Sequence, residues 1–299
     1  MKYHPSSLRS VSPPRLGGDK GVVLSVVLAT RNEGAVLKRC LDSVKDIADE
    51  IVIADERSTD DTQRIAKQYG ARIIEVDHND NFHITKNIAI DAARGDWILQ
   101  LDADEVVPPE LANEIKQIIL STSHLVLSTN GYWINRRNWF LNRFLTKGGQ
   151  YPDSTIRLYR KGLGRLPARD VHEQAKVTGP VGHLTHDLLH YRDTSFEKYL
   201  DGFNRYSTFI SSQMAGRKLS INIFQAVNYL VIRPFWTFFL IYFRHLGLVD
   251  GLAGFIFALF SGLIHPVAYI KYWQRTLYPD TTPQSPPRLG GETRREGRY

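Results

Sequence analysis

Short apolar runs rich in β-branched residues alternate with stretches of helical periodicity between residues 21 and 120. Helical spacing is clearest where Val36, Leu37, Leu41 and Val44 recur one, three and four residues apart. The pattern predicts strands at 22–29, 50–54, 72–76 and 97–101, and helices at 33–44, 60–69, 84–94 and beyond residue 108. Strands that alternate with short helices indicate an α/β fold with a mostly parallel, right-handed sheet.

The pattern is less regular beyond residue 120. Segments 132–139 and 154–160 are predicted to be strands, and a loop-rich stretch with three histidines follows. His183, His186 and His190 recur at intervals of three and four, which suits one helix face and a metal ion. No His-Glu-x-x-His pattern accompanies them, so structural histidines are the better interpretation, and His190 is the favoured neighbour of a functional site.

Two segments near the C-terminus, 228–243 and 248–272, are too apolar for the surface of an ordinary soluble enzyme. Arg233 interrupts the first, and Pro234 and Pro266 are expected to break or kink helices. We therefore predict an interfacial hairpin that dips into the headgroup region of a membrane. A single spanning helix and a helix buried in a dimer are the alternatives, since the second segment just reaches the length needed to span.

These patterns divide the chain into five expected parts. They are a flexible arm at 1–20 without a signal-peptide core, a ligand-binding half-domain at 21–120, a second half-domain at 121–215, a membrane-associating helical segment at 216–276 and a disordered tail at 277–299.

Two carboxylates separated by one residue, Asp102 and Asp104, follow the fourth predicted strand. In open parallel sheets ligands bind beyond the carboxyl ends of the strands, and carboxylate oxygens suit Mg²⁺ or Mn²⁺ shared with a diphosphate. The other interpretation is a helix N-terminus with acids that complement the helix dipole, because Pro108-Pro109-Glu110 opens a helix. Motifs at neighbouring strands favour the metal site.

Polar segments also end the first and second strands. They read Thr30-Arg31-Asn32-Glu33 and Asp55-Glu56-Arg57-Ser58-Thr59-Asp60-Asp61-Thr62. Together with Asp102-x-Asp104, their order and spacing resemble family 2 glycosyltransferases of the GT-A fold over about residues 21–120. The family usually has glycine where Arg57 stands, and a second acid often occupies the position of Glu56, so donor contacts could differ.

The resemblance implies a GT-A nucleotide-sugar domain that uses Mg²⁺ or Mn²⁺. It implies Asp55 at the nucleoside, Asp102 near the ribose or diphosphate, and Asp104 on the metal, with Asp102 as a further metal contact. Lys86 faces either the donor or solvent, and Arg31 faces the diphosphate or caps its loop. The remaining expected donor-binding residues are Thr30, Asn32, Glu33 and Glu56.

An inverting sugar transfer needs a general base to deprotonate the acceptor hydroxyl. In related enzymes this is an acid beyond the metal motif, and the candidates are Asp153, Asp170 and Glu173. We favour Glu173, because His172 beside it could contact the metal or a phosphate; ordinary surface charges are the alternative.

Later motifs resemble the bacterial branch that includes lipopolysaccharide core β-glucosyltransferases. They are Lys86-Asn87-x-Ala89, Tyr151-Pro152-Asp153, Arg157-Leu158-Tyr159-Arg160 and Val171-His172-Glu173. This resemblance implies a lipid-linked or lipopolysaccharide-type glycan acceptor and a place on the cytoplasmic face of the bacterial inner membrane.

The charge distribution limits the classes of partner. The net charge is +7, and residues 131–170 contain nine basic and two acidic residues interleaved with aromatics. Such a local block indicates an anion site, for example an acceptor phosphate at an anionic membrane surface, and we expect no nucleic-acid partner. The single cysteine, Cys40, excludes an internal disulfide and a Cys-based zinc site.

Three other functions are alternatives to transfer of a sugar onto a glycan. A polyprenyl-phosphate sugar transferase would share the donor domain but hand the sugar to an anionic lipid phosphate. A membrane scaffold with a degenerate transferase domain is the non-enzymatic alternative, which intact Asp102 and Asp104 disfavour. An NAD-dependent dehydrogenase lacks support because no Gly-x-Gly-x-x-Gly follows the first strand.

Overall fold

A computed structural model describes residues 22–79, 81–122, 129–167 and 174–278 of the chain. The predicted arm at 1–20 and almost all of the predicted tail lie outside these residues. The described chain divides into two compact units, one formed by 22–146 with 150–194 and the other by 147–149 with 195–278, each over its described residues.

The first unit is built on a ten-stranded sheet, with a separate two-stranded ribbon. Its strands are β1 (Leu24–Thr30), β2 (Glu50–Asp55), β3 (Arg72–Glu75), β4 (Trp97–Gln100), β5 (Glu105–Val106), β6 (Gly131–Phe140), β7 (Arg143–Phe144), β8 (Asp153–Arg160), β9 (Gly164–Arg165), β10 (Lys176–Val177), β11 (Val181–His183) and β12 (Leu188–Asp193). Its helices are α1 (Gly34–Val44), α2 (Thr62–Gln68), α3 (Phe82–Ala92) and α4 (Pro109–Thr122).

The strand order is β3-β2-β1-β4-β8-β6-β12-β5, with β7 and β11 on β6. The four strands from β3 to β4 are parallel, whereas β8 is antiparallel to both β4 and β6. The sheet is thus mixed, and it confirms the predicted α/β fold with flanking helices. The parallel register aligns Thr30 with Asp55, so the carboxyl ends of β1 and β2 meet at one edge.

Two clusters of buried apolar side chains form the core of this unit. One includes Leu28, Leu41 and Leu99, and the other includes Val27, Ile90 and Ile98. Because side chains alternate across a strand, neighbours such as Ile98 and Leu99 enter different clusters, which is why these strands read as continuous apolar runs.

The three histidines do not share a helix. His183 ends β11, His186 lies in the following loop and His190 lies in β12. Strand pairing determines their positions here, and the helical spacing in the sequence carries no structural meaning.

The second unit contains three long helices, α5 (Phe196–Gly216), α6 (Ile223–Arg244) and α7 (Gly251–Leu277). Pro234 and Pro266 were expected to break or kink helices; they do not break them, because both lie within continuous α6 and α7. A wide π-helical turn, Asn228–Ile232, precedes Pro234. Such a turn accommodates the ring that would otherwise clash with the carbonyl four residues earlier. Segments Ile223–Arg244 and Gly247–Leu277 are both long and apolar enough to cross a membrane, by length and composition alone.

A glycine on a face of small residues lets α7 approach α6 closely. Gly254, Ala258 and Gly262 lie on one face of α7 and are buried. A Cβ atom at Gly262 would lie 2.6 Å from the carbonyl oxygen of Pro234. The Thr237 hydroxyl and His265 Nε2 form a hydrogen bond of 2.9 Å between the same two helices.

Replacing Gly262 with alanine is expected to destabilise the second unit by about 1–3 kcal/mol, because the backbones must move apart. Thermal unfolding of the detergent-solubilised protein, followed by circular dichroism, measures this. Gly216→Ala is the matched control, since a Cβ there meets no atom within 4 Å. Alanine at Gly216 should be neutral or stabilising because it favours helix formation. Equal melting temperatures for the two variants would contradict close packing at Gly262.

Candidate active site

The ends of β1 and β2 are joined through the side chain of Asp55. Its carboxylate accepts hydrogen bonds from the Thr30 hydroxyl at 2.7 Å, the Ser58 hydroxyl at 2.6 Å, the Ser58 amide at 2.9 Å and the Gln63 side chain at 2.8 Å. Burial raises the pKa of Asp55, but these donors outweigh burial and lower it. Asp55 therefore fixes the loop after β2, and its contact with a nucleoside stays a prediction.

Two residues of these loops adopt left-handed backbone conformations, Asn32 with φ of 55° and Arg57 with φ of 51°. Glycine adopts this region without strain, and the family that the sequence resembles usually has glycine at the position of Arg57. The Asn32 side-chain oxygen accepts from the Thr59 amide at 2.8 Å, and the Thr62 hydroxyl accepts from the Glu33 amide at 2.8 Å. These bonds hold the two loops together at the edge of the sheet.

Glu56 is buried behind this edge. Its carboxylate accepts from the Thr85 hydroxyl at 2.6 Å and lies 2.6 Å from His78 Nδ1, which is 2.8 Å from Arg31 Nη1. Arg31 and Glu56 are thus linked through one imidazole, so two expected donor-binding residues are brought together by a histidine that the sequence did not single out.

Asp102 lies between two cations. Lys86 Nζ forms an ion pair with its Oδ1, and Arg157 Nη2 lies 2.6 Å from its Oδ2. Burial opposes ionisation of Asp102, but Arg157 and Lys86 outweigh that effect and hold its pKa well below the usual value. Lys86 is buried and turned to the strand ends, which decides against a solvent-facing position.

The fully buried Glu105 connects the group formed by Lys86, Asp102 and Arg157 to Asp153. Glu105 Oε1 lies 2.6 Å from Arg157 Nη2 and 3.2 Å from Arg136 Nη1, and its Oε2 accepts from the Asp102 amide at 2.9 Å. Arg136 in turn contacts Asp153 at 2.7 Å. Burial raises the pKa of Asp153, but Arg136 and its hydrogen-bond donors lower it overall. A depressed pKa makes Asp153 a weak general base.

Asp104 lies beside β12. Its Oδ2 is 3.5 Å from His190 Nε2, and its carbonyl accepts from the Tyr191 amide at 2.9 Å. His190 is buried, and its Nδ1 lies 2.7 Å from Asn138 Oδ1. Asn138 Nδ2 donates to Asp153 at 3.1 Å, so His190 and Asn138 link Asp104 to Asp153.

The side chains at this edge of the sheet can serve as ligands of a divalent cation that a substrate also binds. Within the described ranges, no three His, Cys, Asp or Glu side chains converge to hold a metal by themselves. Mg²⁺ and Mn²⁺ at phosphate-transfer sites use one or two carboxylates and complete their shells with water and phosphate oxygens. Asp104, flanked by His190 and preceded by Asp102, offers ligands of that kind.

Three expected site residues, Asp170, His172 and Glu173, lie outside the described residues. Their roles as base and metal contact stay predictions. Glu105 and Asn138 were not among the residues expected at the site from the sequence. Arg136 was expected only as part of the basic block at 131–170, and Arg157 also as part of the motif Arg157-Leu158-Tyr159-Arg160. The signal for Glu105 was its position directly after Asp102-x-Asp104, within a segment where a buried acid needs a cation.

Stability should fall in acid partly through Asp55. Because its folded pKa is depressed, its contribution is fully present above the unfolded value near 3.8 and is lost as the pH falls below it. Asp55→Asn should lower the free energy of unfolding by about 2 kcal/mol at pH 7 and flatten its decline between pH 5 and 3. Urea unfolding across this pH range measures both effects. The exposed Asp61→Asn variant serves as the control, and an unchanged pH slope in Asp55→Asn would contradict the assignment.

Residues 25–200 match the family model described as Glycosyl transferase family 2. An uncharacterized glycosyltransferase of Rickettsia prowazekii is 28% identical over 249 residues, which cover 78% of this chain and 80% of that protein. One from Rickettsia bellii is 40% identical over 98 residues, 33% of each chain. Among solved structures, S. aureus TarS gives a TM-score of 0.43 at 16% identity, covering 84% of this chain and 54% of that chain.

Proposed function

The chain belongs to glycosyl transferase family 2, and on that premise we propose that it transfers a sugar, with inversion, from a nucleotide-sugar donor to a lipid-linked or lipopolysaccharide-type glycan. The observation that carries the proposal is the network of Lys86, Asp102, Arg157 and Asp104 at the carboxyl ends of the parallel strands. Ligands of α/β sheets bind at this edge, and the network combines cations for a diphosphate with carboxylates for a divalent metal.

The chain's own residues would hold the donor by exchanging partners. Lys86 and Arg157 neutralise Asp102. A diphosphate offers the same two cations a stronger anion, so Lys86, the more flexible of the two side chains, would turn toward it. Arg157 stays anchored by Glu105. Mg²⁺ or Mn²⁺ held by Asp104, with Asp102 and His172 or His190 near it, would offset charge on the departing phosphate.

Transfer requires that the acceptor oxygen form a bond to the anomeric carbon while the bond from that carbon to the diphosphate breaks. The acceptor hydroxyl proton passes to a carboxylate on the opposite side from the leaving group. Glu173 remains the favoured base, with Asp170 as its neighbour, because the pairing of Asp153 with Arg136 weakens the basicity of Asp153. Glu173→Gln should keep donor binding and lose turnover, whereas loss of turnover in Asp153→Asn alone would transfer the role to Asp153.

A polyprenyl-phosphate acceptor is the second candidate, because the block at 131–170 is strongly basic. A phosphate acceptor is already anionic and needs no strong base. Turnover that survives Asp153→Asn, Asp170→Asn and Glu173→Gln together would favour it. A degenerate scaffold would show no nucleotide-sugar hydrolysis at all.

Attachment to an anionic membrane surface through α6 and α7 completes the proposal. Large apolar side chains on these helices are exposed, including Phe224 at 81%, Phe235 at 72% and Leu252 at 73%. Several exposed large apolar side chains on neighbouring helices are typical of membrane contact. Arg233 lies in the middle of α6 and is exposed, which favours a position in the headgroup region over a span, because an arginine at the bilayer centre costs about 2.5–3.5 kcal/mol or more. We place this surface at the cytoplasmic face of the bacterial inner membrane.

Replacing Phe235 and Trp236 together with serine should weaken vesicle binding about a hundredfold or more, because each aromatic side chain that enters the membrane contributes roughly 1.5–3 kcal/mol. Co-flotation with phosphatidylglycerol–phosphatidylcholine vesicles measures this, and salt should weaken binding further. Leu120→Ser is the control, as Leu120 is 63% exposed in the first unit. Wild-type flotation of the double variant would exclude this face of α6 as the membrane contact.

The function itself is tested by screening UDP-, GDP- and ADP-sugars for Mn²⁺-dependent hydrolysis by the full chain. We expect one nucleotide class to be hydrolysed slowly without acceptor, and faster transfer when membranes containing glycolipid are added. Absence of hydrolysis and of thermal stabilisation with every donor would contradict the proposed function.

A further inference from the structure

Three aromatic rings pack together next to Asp104, and the mechanism above does not use them. The ring centroid of Trp139 lies 5.5 Å from that of Tyr191 and 5.0 Å from that of Phe144, and the latter two are 5.3 Å apart. Trp139 Nε1 donates to the Leu141 carbonyl at 2.9 Å, which fixes the indole. With the two arginines described next, we call these residues the arginine–aromatic cluster.

Arg39 and Arg137 lie over two of these rings. Arg39 Cζ is 3.7 Å from the ring centroid of Tyr191, and Arg137 Cζ is 5.3 Å from that of Phe144. Arg39 is exposed on α1, and no carboxylate in the described part of the chain pairs with it, while Arg137 Nε reaches Asp187 only at 4.0 Å. A guanidinium that lies over an aromatic ring keeps N–H groups that can donate to an anion.

The cluster adjoins the candidate metal site through the backbone. The Tyr191 amide donates to the Asp104 carbonyl, and the preceding residue, His190, is the imidazole beside the Asp104 carboxylate. Lys86 and Arg157 already form ion pairs with Asp102. Arg39 and Arg137 are therefore cations near the site that do not pair with Asp102, the residue expected near the diphosphate of the sugar donor.

We propose that the arginine–aromatic cluster binds a phosphate group carried by the acceptor sugar, with Arg39 and Arg137 as its two cationic contacts. The inference rests on the proposed function and adds to it the chemical class of the acceptor. A phosphate presents three strong acceptor oxygens, which is enough to accept from two guanidinium groups. The half-buried rings of the cluster provide apolar surface for the attached sugar ring.

The test compares binding of glucose 6-phosphate, glucose and inorganic phosphate to the full chain by calorimetry. We expect glucose 6-phosphate to bind more tightly than either other probe. Arg39→Ala and Arg137→Ala should each weaken its binding about five- to tenfold, since a charge-assisted contact is lost, and Arg39→Lys should be intermediate because it retains charge without the planar fork. Arg64→Ala is the control, because the exposed Arg64 pairs with Asp61 on α2 and should bind as wild type.

Two further readouts separate this inference from the proposed function. Mn²⁺-dependent nucleotide-sugar hydrolysis without acceptor should be unchanged in Arg39→Ala. If the wild type shows no such hydrolysis, the proposed function is contradicted, and not this inference. Flotation of the Arg39→Ala/Arg137→Ala variant with phosphatidic acid vesicles should also be unchanged. The inference would be overturned if glucose and glucose 6-phosphate bound with equal affinity, or if both alanine variants bound glucose 6-phosphate like the wild type. Loss of vesicle binding alone would also overturn it, because that result identifies a lipid headgroup as the ligand.

Discussion

Asp104→Asn should reduce sugar transfer and nucleotide-sugar hydrolysis by about 10³-fold or more, equivalent to roughly 4 kcal/mol of transition-state stabilisation. The substitution removes the negative charge that would hold a divalent cation while preserving the size of the side chain. Its thermal stability should stay close to wild type, because the Asp104 carboxylate is partly exposed and its backbone bond to Tyr191 is retained.

Initial rates at saturating Mn²⁺, with circular dichroism as the folding control, measure this effect. Asp91→Asn is the matched variant, since Asp91 is exposed and pairs with Arg165 away from the network. We expect that variant to keep wild-type rates. Full activity of Asp104→Asn in metal-replete buffer would remove Asp104 from the metal site.

Arg157→Met should lower the free energy of unfolding by about 3–5 kcal/mol, because it leaves two acids without the buried cation that they share. Arg157 Nη2 lies 2.6 Å from both Asp102 and Glu105, and these carboxylates raise the pKa of the buried guanidinium against the opposing effect of burial. Methionine retains much of the apolar stem but no charge. The loss should therefore come from electrostatics rather than packing.

Urea unfolding of the single variants and of Arg157→Met/Glu105→Gln measures the coupling between the two residues. The double variant should recover part of the loss, because the uncompensated buried charge of Glu105 is removed with its partner. Arg165→Met is the control, an exposed arginine for which we expect a change within about 0.5 kcal/mol. Additive losses in the double variant would show that Glu105 and Arg157 act independently.

The parallel half of the sheet could be predicted because its signal is local. Apolar runs mark β1, β2, β3 and β4, and each predicted boundary lies within two residues of the structure. Since parallel strands end at the same edge, Thr30 and Asp55 were expected together, and the register pairs them. Here the hydrophobic pattern and the topology agree.

The ion network could not be predicted, because its partners are far apart in the sequence. Arg157 follows Asp102 by 55 residues, and their contact depends on β8 pairing antiparallel with β4. The proximity of His190 to Asp104 likewise follows from the pairing of β12 with β5. No spacing rule encodes such pairings, so Glu105 was missed although it lies directly after the metal motif.

Local rules also failed where tertiary structure or a backbone irregularity overrides them. Pro234 was expected to break or kink its helix, but the π-helical turn before it keeps α6 continuous. The intervals between His183, His186 and His190 suit a helix face, which was the less favoured interpretation, and strands and a loop carry these residues. Helical geometry alone could decide neither point, because it takes no account of the neighbouring elements.

Calorimetric titration of the cognate nucleotide-sugar into the full chain, with Mn²⁺ and again with EDTA, tests the central claim most directly. If Asp104 and its neighbours hold a cation that bridges to the donor, affinity should fall at least about tenfold in EDTA, and Asp104→Asn should show the weak value under both conditions. Equal affinity with and without metal in the wild type, or a metal response that Asp104→Asn retains in full, would contradict the account.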